Sequence, residues 1–243
     1  MHISILGLGP SLDDYTLHVK ALGGRSAYCD EVWTVNALGD VMQCDKIFHM
    51  DDVRVQEARA EAAPKSNIAN MVKWLRKHPG PIYTCHVEPG YPGLVEYPLE
   101  DVINATGEYY FNNTTAYALA YAIHYGATAI SIFGCDFSYA NSHHAEKGRA
   151  CMEFWIAIAK QRGIQINLPR NTSLLDAYEG AEFYGYCDGH ELLLEDDNGK
   201  VRVKMTPKDL PTAAEIEHRY DHKRPTSPHV EETTNGTDSN GSR

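Results

Sequence analysis

Residues 1–12 read MHISILGLGPSL, and they contain the first strand and turn that the sequence predicts. An apolar run over residues 2–6 ends in a turn that contains Gly7 and Gly9. The residues that follow, DDYTLHVKAL from position 13, have the acidic first turn typical of a helix. A short apolar strand, a glycine turn and a helix in this order are typical of an α/β fold.

The same alternation continues along the chain. Further short strands are predicted at residues 31–35, 46–49, 81–84, 129–133 and 164–167, and helices at 58–77 with a break at Pro64, 114–125 and 145–162. This order predicts a Rossmann-like α/β fold, with a mostly parallel sheet and helices on both faces. Residues 86–107 are rich in proline and glycine, so we expect a long irregular loop there.

The pattern changes after Asp176. Residues 191–195 and 200–205 flank the turn sequence DDNG, which predicts a C-terminal β-hairpin, and a short helix is expected at 211–220. Residues 223–243 contain almost no large apolar side chain and are predicted to form a disordered tail. The expected organisation is therefore a Rossmann-like domain over 1–178, a hairpin and helix appendage over 179–222, and a tail over 223–243.

Composition excludes several classes of protein. With 43% hydrophobic residues in 243, the chain is too apolar to be disordered throughout, and its net charge of -11 makes nucleic acid an unlikely partner. The six cysteines form no C-x-x-C pair, which argues against a zinc knuckle or a redox motif. The sequence shows neither a signal peptide nor a membrane span, so we expect a cytoplasmic protein.

The turn Gly7-Leu8-Gly9-Pro10-Ser11 is the first candidate binding element. Glycine lets a backbone approach a ligand closely, and the start of the following helix offers free N–H groups to a phosphate. Ser11 adds a hydroxyl donor. The turn lacks the third glycine of G-x-G-x-x-G and the G-K-[ST] of a Walker loop. A phosphate-binding turn and an ordinary strand-to-helix turn therefore both remain open.

A second group of candidates shares one edge of the predicted sheet. Each member follows a predicted strand or begins a predicted helix, and ligands of open α/β sheets bind at that edge. Taken singly, each of these residues is better explained as a turn or cap residue, and the argument for a site is the edge that they share. The group consists of Asn36, Asp51, Asp52, Asn112, Asn113, Thr114 and Asp136.

Two adjacent histidines, His143 and His144, precede the long predicted helix at 145–162. Imidazole titrates near neutral pH and suits general acid–base work. Asp136, His143 and Glu146 could instead bind a metal, but adjacent helical residues point about 100° apart, so one ion rarely takes both histidines. A general base is the better use, and a solvated histidine at a helix start is the alternative.

These motifs together resemble known families over residues 2–176. Their order is similar to that of the DUF115 group, which includes motility accessory factor proteins and 6-hydroxymethylpterin diphosphokinase MptE-like proteins. It also resembles bacterial CMP-sialic acid-dependent sialyltransferases of the GT42 type. The matching segments are GLGPSL at 7–12, VNA at 35–37, MDD at 50–52, NTTA at 113–116, and ISIFGCD at 130–136 with the histidine-bearing helix.

The resemblance implies a Rossmann-like transferase domain over 1–178 that uses a nucleotide-activated donor. It places Gly7, Gly9, Pro10, Ser11 and Asn36 around the donor phosphates and nucleoside. It also implies that Asn113, Thr114 and Asp136 line the same cleft, and that His143 or His144 is catalytic, with Asp136 as the next candidate.

Three functions follow as hypotheses. The first is a glycosyltransferase-like enzyme that moves a sugar from a nucleotide donor, CMP-linked among the options, to a hydroxyl of a small-molecule or glycan acceptor. The second is an ATP- and Mg²⁺-dependent diphosphokinase in which Asp51, Asp52 and Asp136 hold the metal. The third is a non-catalytic nucleotide-binding protein. No cofactor is firmly implied, and the oligomeric state stays open.

Overall fold

The computed structural model of the protein describes residues 1–138, 141–177, 183 and 185–219. The chain divides into two compact units, Met1–Tyr178 and Glu179–Arg243, and each is described by itself. The predicted tail over 223–243 lies outside the described residues. Among the helices of the described ranges, none has both the length and the apolar character that crossing a bilayer requires.

The first unit is built on a 7-stranded sheet in which every strand pairing is parallel. The strand order is β5-β4-β3-β2-β1-β6-β7, so the first strand of the chain lies inside the sheet between β2 and β6. This order confirms the predicted Rossmann-like fold. The strands are β1 His2–Leu6, β2 Glu31–Val35, β3 Lys46–Phe48, β4 Ile82–Thr84, β5 Leu94–Glu96, β6 Ala129–Phe133 and β7 Gln165–Asn167.

Burial explains why these strands read as continuous apolar runs. Ile3, Ile5 and Leu6 of β1 are all fully buried, as expected for a parallel strand covered on both faces. Ile5 lies opposite Trp33 of β2 and Ile132 of β6. The helices of this unit are α1 Leu12–Ala21, α2 Val53–Ala62, α3 Asn67–Leu75, α4 Leu99–Thr106, α5 Thr114–His124 and α6 Ser142–Gln161.

Helix α5 lies against the centre of the sheet, where it contacts β1, β2 and β3. Its small side chains allow this close approach, and Ala116, Ala118 and Ala120 are fully buried. The Asn113 carboxamide oxygen caps the helix by accepting from the Ala116 N–H at 2.9 Å. The helix therefore begins at a fixed residue, beside the carboxyl ends of the central strands.

Two expectations about the outer part of the sheet were wrong. Residues 86–107 are not an irregular loop, because they contain β5 and α4. Leu94 and Val102 are buried, and their burial stabilises a strand and a helix despite the prolines and glycines that precede them. Gly107 ends α4 with a φ of 75°. Helix α2 begins at Val53 rather than at residue 58, because Asp52 accepts a hydrogen bond from the Arg54 N–H and caps it.

The second unit contains the predicted hairpin. Strands β8 His190–Asp197 and β9 Lys200–Pro207 pair antiparallel, and a helix α7 follows over Ala213–Arg219. Asn198 and Gly199 form the turn with φ values of 56° and 81°. Left-handed conformations at both positions match the twist of the flanking strands, which is why Asn-Gly predicts a hairpin well.

Candidate functional site

A cleft of about 390 Å³ opens at the carboxyl edge of the sheet, where β1, β2 and β6 end. The chain passes from β1 to β2 on one side, while β6 lies on the other side of β1. Such switch points of strand order are the usual ligand sites of open α/β sheets, and this volume suits a small molecule. The predicted residues that line it are Gly7, Gly9, Pro10, Asn36, Asn113, Thr114 and Asp136.

The glycine turn packs directly on the turn that follows β6. A Cβ atom on Gly7 would lie 2.3 Å from the carbonyl oxygen of Gly134, and one on Gly9 would lie 2.6 Å from Oδ2 of Asp136. The N–H groups of Gly7 and Gly9 already donate to the carbonyls of Phe133 and Gly134. Contact between the two turns therefore requires these glycines, and these two amides are not free to hold a phosphate.

Ser11 and Asp136 join the two turns below the cleft. Asp136 is 2% exposed, and its carboxylate accepts from the Ser11 N–H at 2.8 Å and from the Ser11 hydroxyl at 2.6 Å. The Ser11 Oγ in turn accepts from the Gly134 N–H at 2.7 Å. The Ser173 hydroxyl donates to the backbone carbonyl of Asp136. Both carboxylate oxygens of Asp136 are thus engaged in positioning the turn.

The start of α5 forms another wall of the cleft through Asn113, Thr114 and Thr115. The first N–H groups of a helix have no acceptor within the helix, and its dipole is positive at that end. The first turn of α5 contains no acidic residue, whereas that of α1 contains Asp13 and Asp14. An anion in the cleft is therefore better placed at α5 than at α1.

Phe137 lines the cleft in a left-handed conformation with a φ of 49°. This conformation is strained for a bulky residue, and such strain is concentrated at functional sites. The ring is held by α6, because a Cβ atom on Gly148 would lie 2.5 Å from it. Phe137 is only 8% exposed, so α6 fixes the position of this wall.

His49 is a functional candidate that the sequence reasoning missed. Its ring is fully buried, and Nδ1 lies 3.2 Å from the carboxamide oxygen of Asn36 in the cleft wall. Burial lowers the pKa of His49, although the charge of Asp51 acts in the opposite direction. The position of this histidine at the end of the apolar run KIFH is visible in the sequence. Its contact with Asn36 is not, because Asn36 follows a different strand.

The structure separates the two adjacent histidines. Helix α6 begins at Ser142, so both lie in its first turn rather than before the helix, and both are exposed. The carboxamide oxygen of Asn141 accepts from the His144 N–H at 3.1 Å. His144 shares a helix face with Gly148, Cys151 and Trp155, the face that packs inward. His143 shares its face with Lys147 and Ala150, which are exposed.

The three aspartates proposed as metal ligands are not brought together. β2 and β1 lie between β3, which precedes Asp51 and Asp52, and β6, which precedes Asp136. Neighbouring strands are about 4.8 Å apart, so the strand ends are ~14 Å apart, whereas Mg²⁺ binds oxygen at about 2.1 Å. Arg54 donates to Asp52 and lowers its pKa to about 2. Within the described ranges, no three acidic, histidine or cysteine side chains could hold a metal, so these residues do not fit Mg²⁺.

Comparisons with known proteins give fold neighbours at low identity. No family model matches the chain, and no curated protein matches it, so nothing supports the likeness to the DUF115 group. Among solved structures, the sialyltransferase CstII from Campylobacter jejuni in complex with cytidine-5'-monophosphate is 15% identical, with a TM-score of 0.43 over 90% of this chain and 97% of that chain.

A second structure of the same sialyltransferase, in complex with CMP-3FNeuAc, is 16% identical and has a TM-score of 0.40. It covers 90% of this chain and 98% of that chain. At such values the likeness does not identify a reaction, so the function has to be argued from the cleft.

Proposed function

We propose that the protein is a glycosyltransferase-like enzyme that binds a nucleotide sugar in the cleft and transfers the sugar to an acceptor hydroxyl. The observation that carries this proposal is the convergence of the α5 N-terminus, Asn36 and the Gly7–Ser11 turn at one switch point of the sheet. The cleft offers donors to an anion, although none of its described lining residues is a lysine or arginine. Helix N-termini bind phosphate in this way.

In this proposal the donor phosphate binds at the first turn of α5. The N–H groups of Thr114 and Thr115 and the Thr114 hydroxyl donate to its oxygens. The bond between the sugar carbon and the phosphate oxygen breaks, and the leaving phosphate takes the electron pair. The positive end of α5 stabilises that charge, while the acceptor oxygen forms the new bond to the sugar carbon and gives up its proton.

His144 is the proposed base that takes the proton from the acceptor. It lies one turn before Gly148 on the same side of α6, and Gly148 contacts the Phe137 wall of the cleft. His143 points away from that face and serves as a matched control. Asp136 is assigned to positioning, because both of its carboxylate oxygens already accept hydrogen bonds from Ser11.

The variants His144→Ala and His143→Ala test the base. General-base catalysis contributes about 10²–10⁴ in rate, so His144→Ala should lower turnover by about that factor and leave donor affinity nearly unchanged. His143→Ala should stay close to wild type in both. Full turnover of His144→Ala would remove the base from this mechanism, and loss of nucleotide binding would make His144 a donor-binding residue.

Thermal stabilisation by CMP, UDP, GDP and ATP, each with Mg²⁺ and with EDTA, tests the donor class. A ligand at a hundred times its Kd adds about 2.7 kcal/mol of stability. We expect CMP to stabilise the protein equally with and without Mg²⁺, and Thr114→Val to weaken this effect. Strict Mg²⁺ dependence with ATP would favour the diphosphokinase instead, and no stabilisation by any nucleotide would overturn a nucleotide-dependent transferase.

A further inference from the structure

The contact between His49 and Asn36 is the starting point. The carboxamide oxygen of Asn36 lies 3.2 Å from Nδ1 of His49. An amide oxygen can only accept a hydrogen bond, so the proton of this contact belongs to Nδ1. The other ring nitrogen, Nε2, is buried and has no hydrogen-bond partner in the part of the chain that the structure describes. This arrangement requires the neutral ring with its proton on Nδ1.

The histidine is rigidly placed. It directly follows β3, and its backbone N–H donates to the carbonyl of Tyr83 in β4 at 2.8 Å. Its ring is fully buried, so no rotation into water is available. Asn36 is held equally closely, since it follows β2 in a left-handed conformation with a φ of 53°. Asparagine tolerates this conformation better than most residues do.

The contact decides which end of Asn36 remains available to a ligand. Its oxygen is committed to His49, so the amino group is the part that can face the cleft, which Asn36 lines. An amino group donates two hydrogen bonds and accepts none. A ligand group that meets this amino group must therefore be an acceptor, and a ligand that presents a donor there leaves two donors facing each other.

We propose that His49 is a positioning residue, which holds the Asn36 carboxamide with its amino group towards the cleft and so selects a nucleotide that presents an acceptor oxygen or ring nitrogen at that point. The inference rests on the proposed function in taking the ligand to be a nucleotide. The shared chemistry is a hydrogen-bond acceptor, and its source is either the nucleobase or the phosphate.

Four proteins test whether His49 acts through Asn36: wild type, His49→Leu, Asn36→Gly and the double variant. Leucine keeps the buried site apolar but removes the donor, and glycine at position 36 allows the positive φ. We expect His49→Leu and Asn36→Gly each to weaken CMP binding about tenfold, the value of one good hydrogen bond. The double variant should bind CMP no more weakly than Asn36→Gly alone.

A purely structural role for His49 gives a different result. The two losses would then multiply, and the double variant would bind about a hundredfold more weakly than wild type. His49→Asn is the conservative variant, because its amide nitrogen lies near the position of Nδ1 and can still donate. We expect it to restore CMP affinity to within about threefold of wild type, and failure of this rescue in a folded protein would contradict the inference.

Cytidine and inorganic phosphate identify the source of the acceptor. If Asn36 meets the base, His49→Leu weakens cytidine binding and leaves phosphate binding unchanged. If it meets the phosphate, the reverse holds. Equal binding of both probes by wild type and His49→Leu would show that Asn36 selects neither, and would overturn the selection step.

The tautomer is tested without any ligand. In ¹⁵N-labelled protein, the imidazole of His49 should show a protonated Nδ1 and an unprotonated Nε2. The opposite tautomer would overturn the positioning role, whatever the nucleotide results. Failure of every nucleotide to bind would overturn the proposed function and the selection step with it, whereas the spectrum alone decides the positioning of Asn36.

Discussion

Ser11 shows how one hydroxyl can hold two turns together. Its hydroxyl donates to Asp136, its oxygen accepts from the Gly134 N–H, and all of these atoms are buried. The sequence identified Ser11 and Asp136 as site residues but not their contact, because 125 positions separate them. The Ser11 hydroxyl, which we expected to donate to a phosphate, forms hydrogen bonds with Asp136 and Gly134 instead. These hydrogen bonds join residues far apart in the sequence, so sequence patterns do not reveal them.

Ser11→Ala should therefore lower the free energy of unfolding by about 2 kcal/mol. The change leaves the Gly134 N–H and one oxygen of Asp136 buried without this partner, and an unmet buried polar group costs about 1–3 kcal/mol. Urea denaturation measures the loss. Ser26→Ala, at an exposed position, should stay within about 0.5 kcal/mol of wild type, and an equally small effect of Ser11→Ala would contradict the bridging role.

His49 predicts a pH dependence of stability. Its pKa is lowered from the ordinary value of 6.5 by burial in the folded protein, with Asp51 acting in the opposite direction. Between the two pKa values the unfolded chain binds a proton that the folded protein does not, so stability is complete above pH 6.5 and is lost as the pH falls below it. His49→Asn should lose this part of the dependence, measured as the difference between the two stability curves. If the stability curves of wild type and His49→Asn stayed parallel below pH 6.5, the contribution of His49 would be refuted.

At the scale of elements, the starts of α5 and α6 are tied to each other beside the cleft. The amide of Asn112 donates to the Lys147 carbonyl at 2.8 Å, and that of Asn113 donates to the Gly148 carbonyl at 3.3 Å. Hydrophobic periodicity predicted both helices, because it is a local signal. It missed β5 and α4, because their buried residues are few and follow a segment rich in proline and glycine.

Gly148→Ala tests this junction. Helix propensity alone predicts that Gly148→Ala raises the free energy of unfolding by about 1 kcal/mol. The reverse change Ala150→Gly, at an exposed position of the same helix, is the control and should lower it by about the same amount. The new methyl group would lie 2.5 Å from the Phe137 ring, which is buried and has little room to move. We expect overpacking to cost about 1–3 kcal/mol and to weaken nucleotide binding. A more stable variant with unchanged affinity would show that Phe137 moves freely.

At the scale of the whole molecule, the three hydrophobic clusters formed by the described residues all lie within the first unit, and Leu174 is their last buried member. The segment around it also fixes the cleft, since Ser173 donates to Asp136 and Arg149 pairs with Asp176 at 2.7 Å. The change in sequence pattern after Asp176 predicts a domain boundary at 178. That the first unit folds independently up to this boundary stays a prediction.

Two truncations test this boundary. A chain that ends after Ala177 should keep the melting temperature of the first unit and its nucleotide affinity. A chain that ends after Arg170 loses Leu174 and Ser173, and burial of a leucine side chain alone contributes about 2 kcal/mol. Differential scanning calorimetry compares the melting temperatures of the two truncated chains. Equal stability would show that residues 171–177 are not part of the folded unit.

The close contact of Gly7 and Gly9 with the turn after β6 also decides how this cleft can be diversified. Positions 7, 9 and 134 admit no side chain, so a mutant library that varies them mostly yields misfolded protein. Leu8 stands between the two glycines, lines the cleft and is 63% exposed. A library confined to Leu8 changes the wall that a ligand meets while the turn beneath it stays the same, so altered ligand preference should be selectable there without loss of expression.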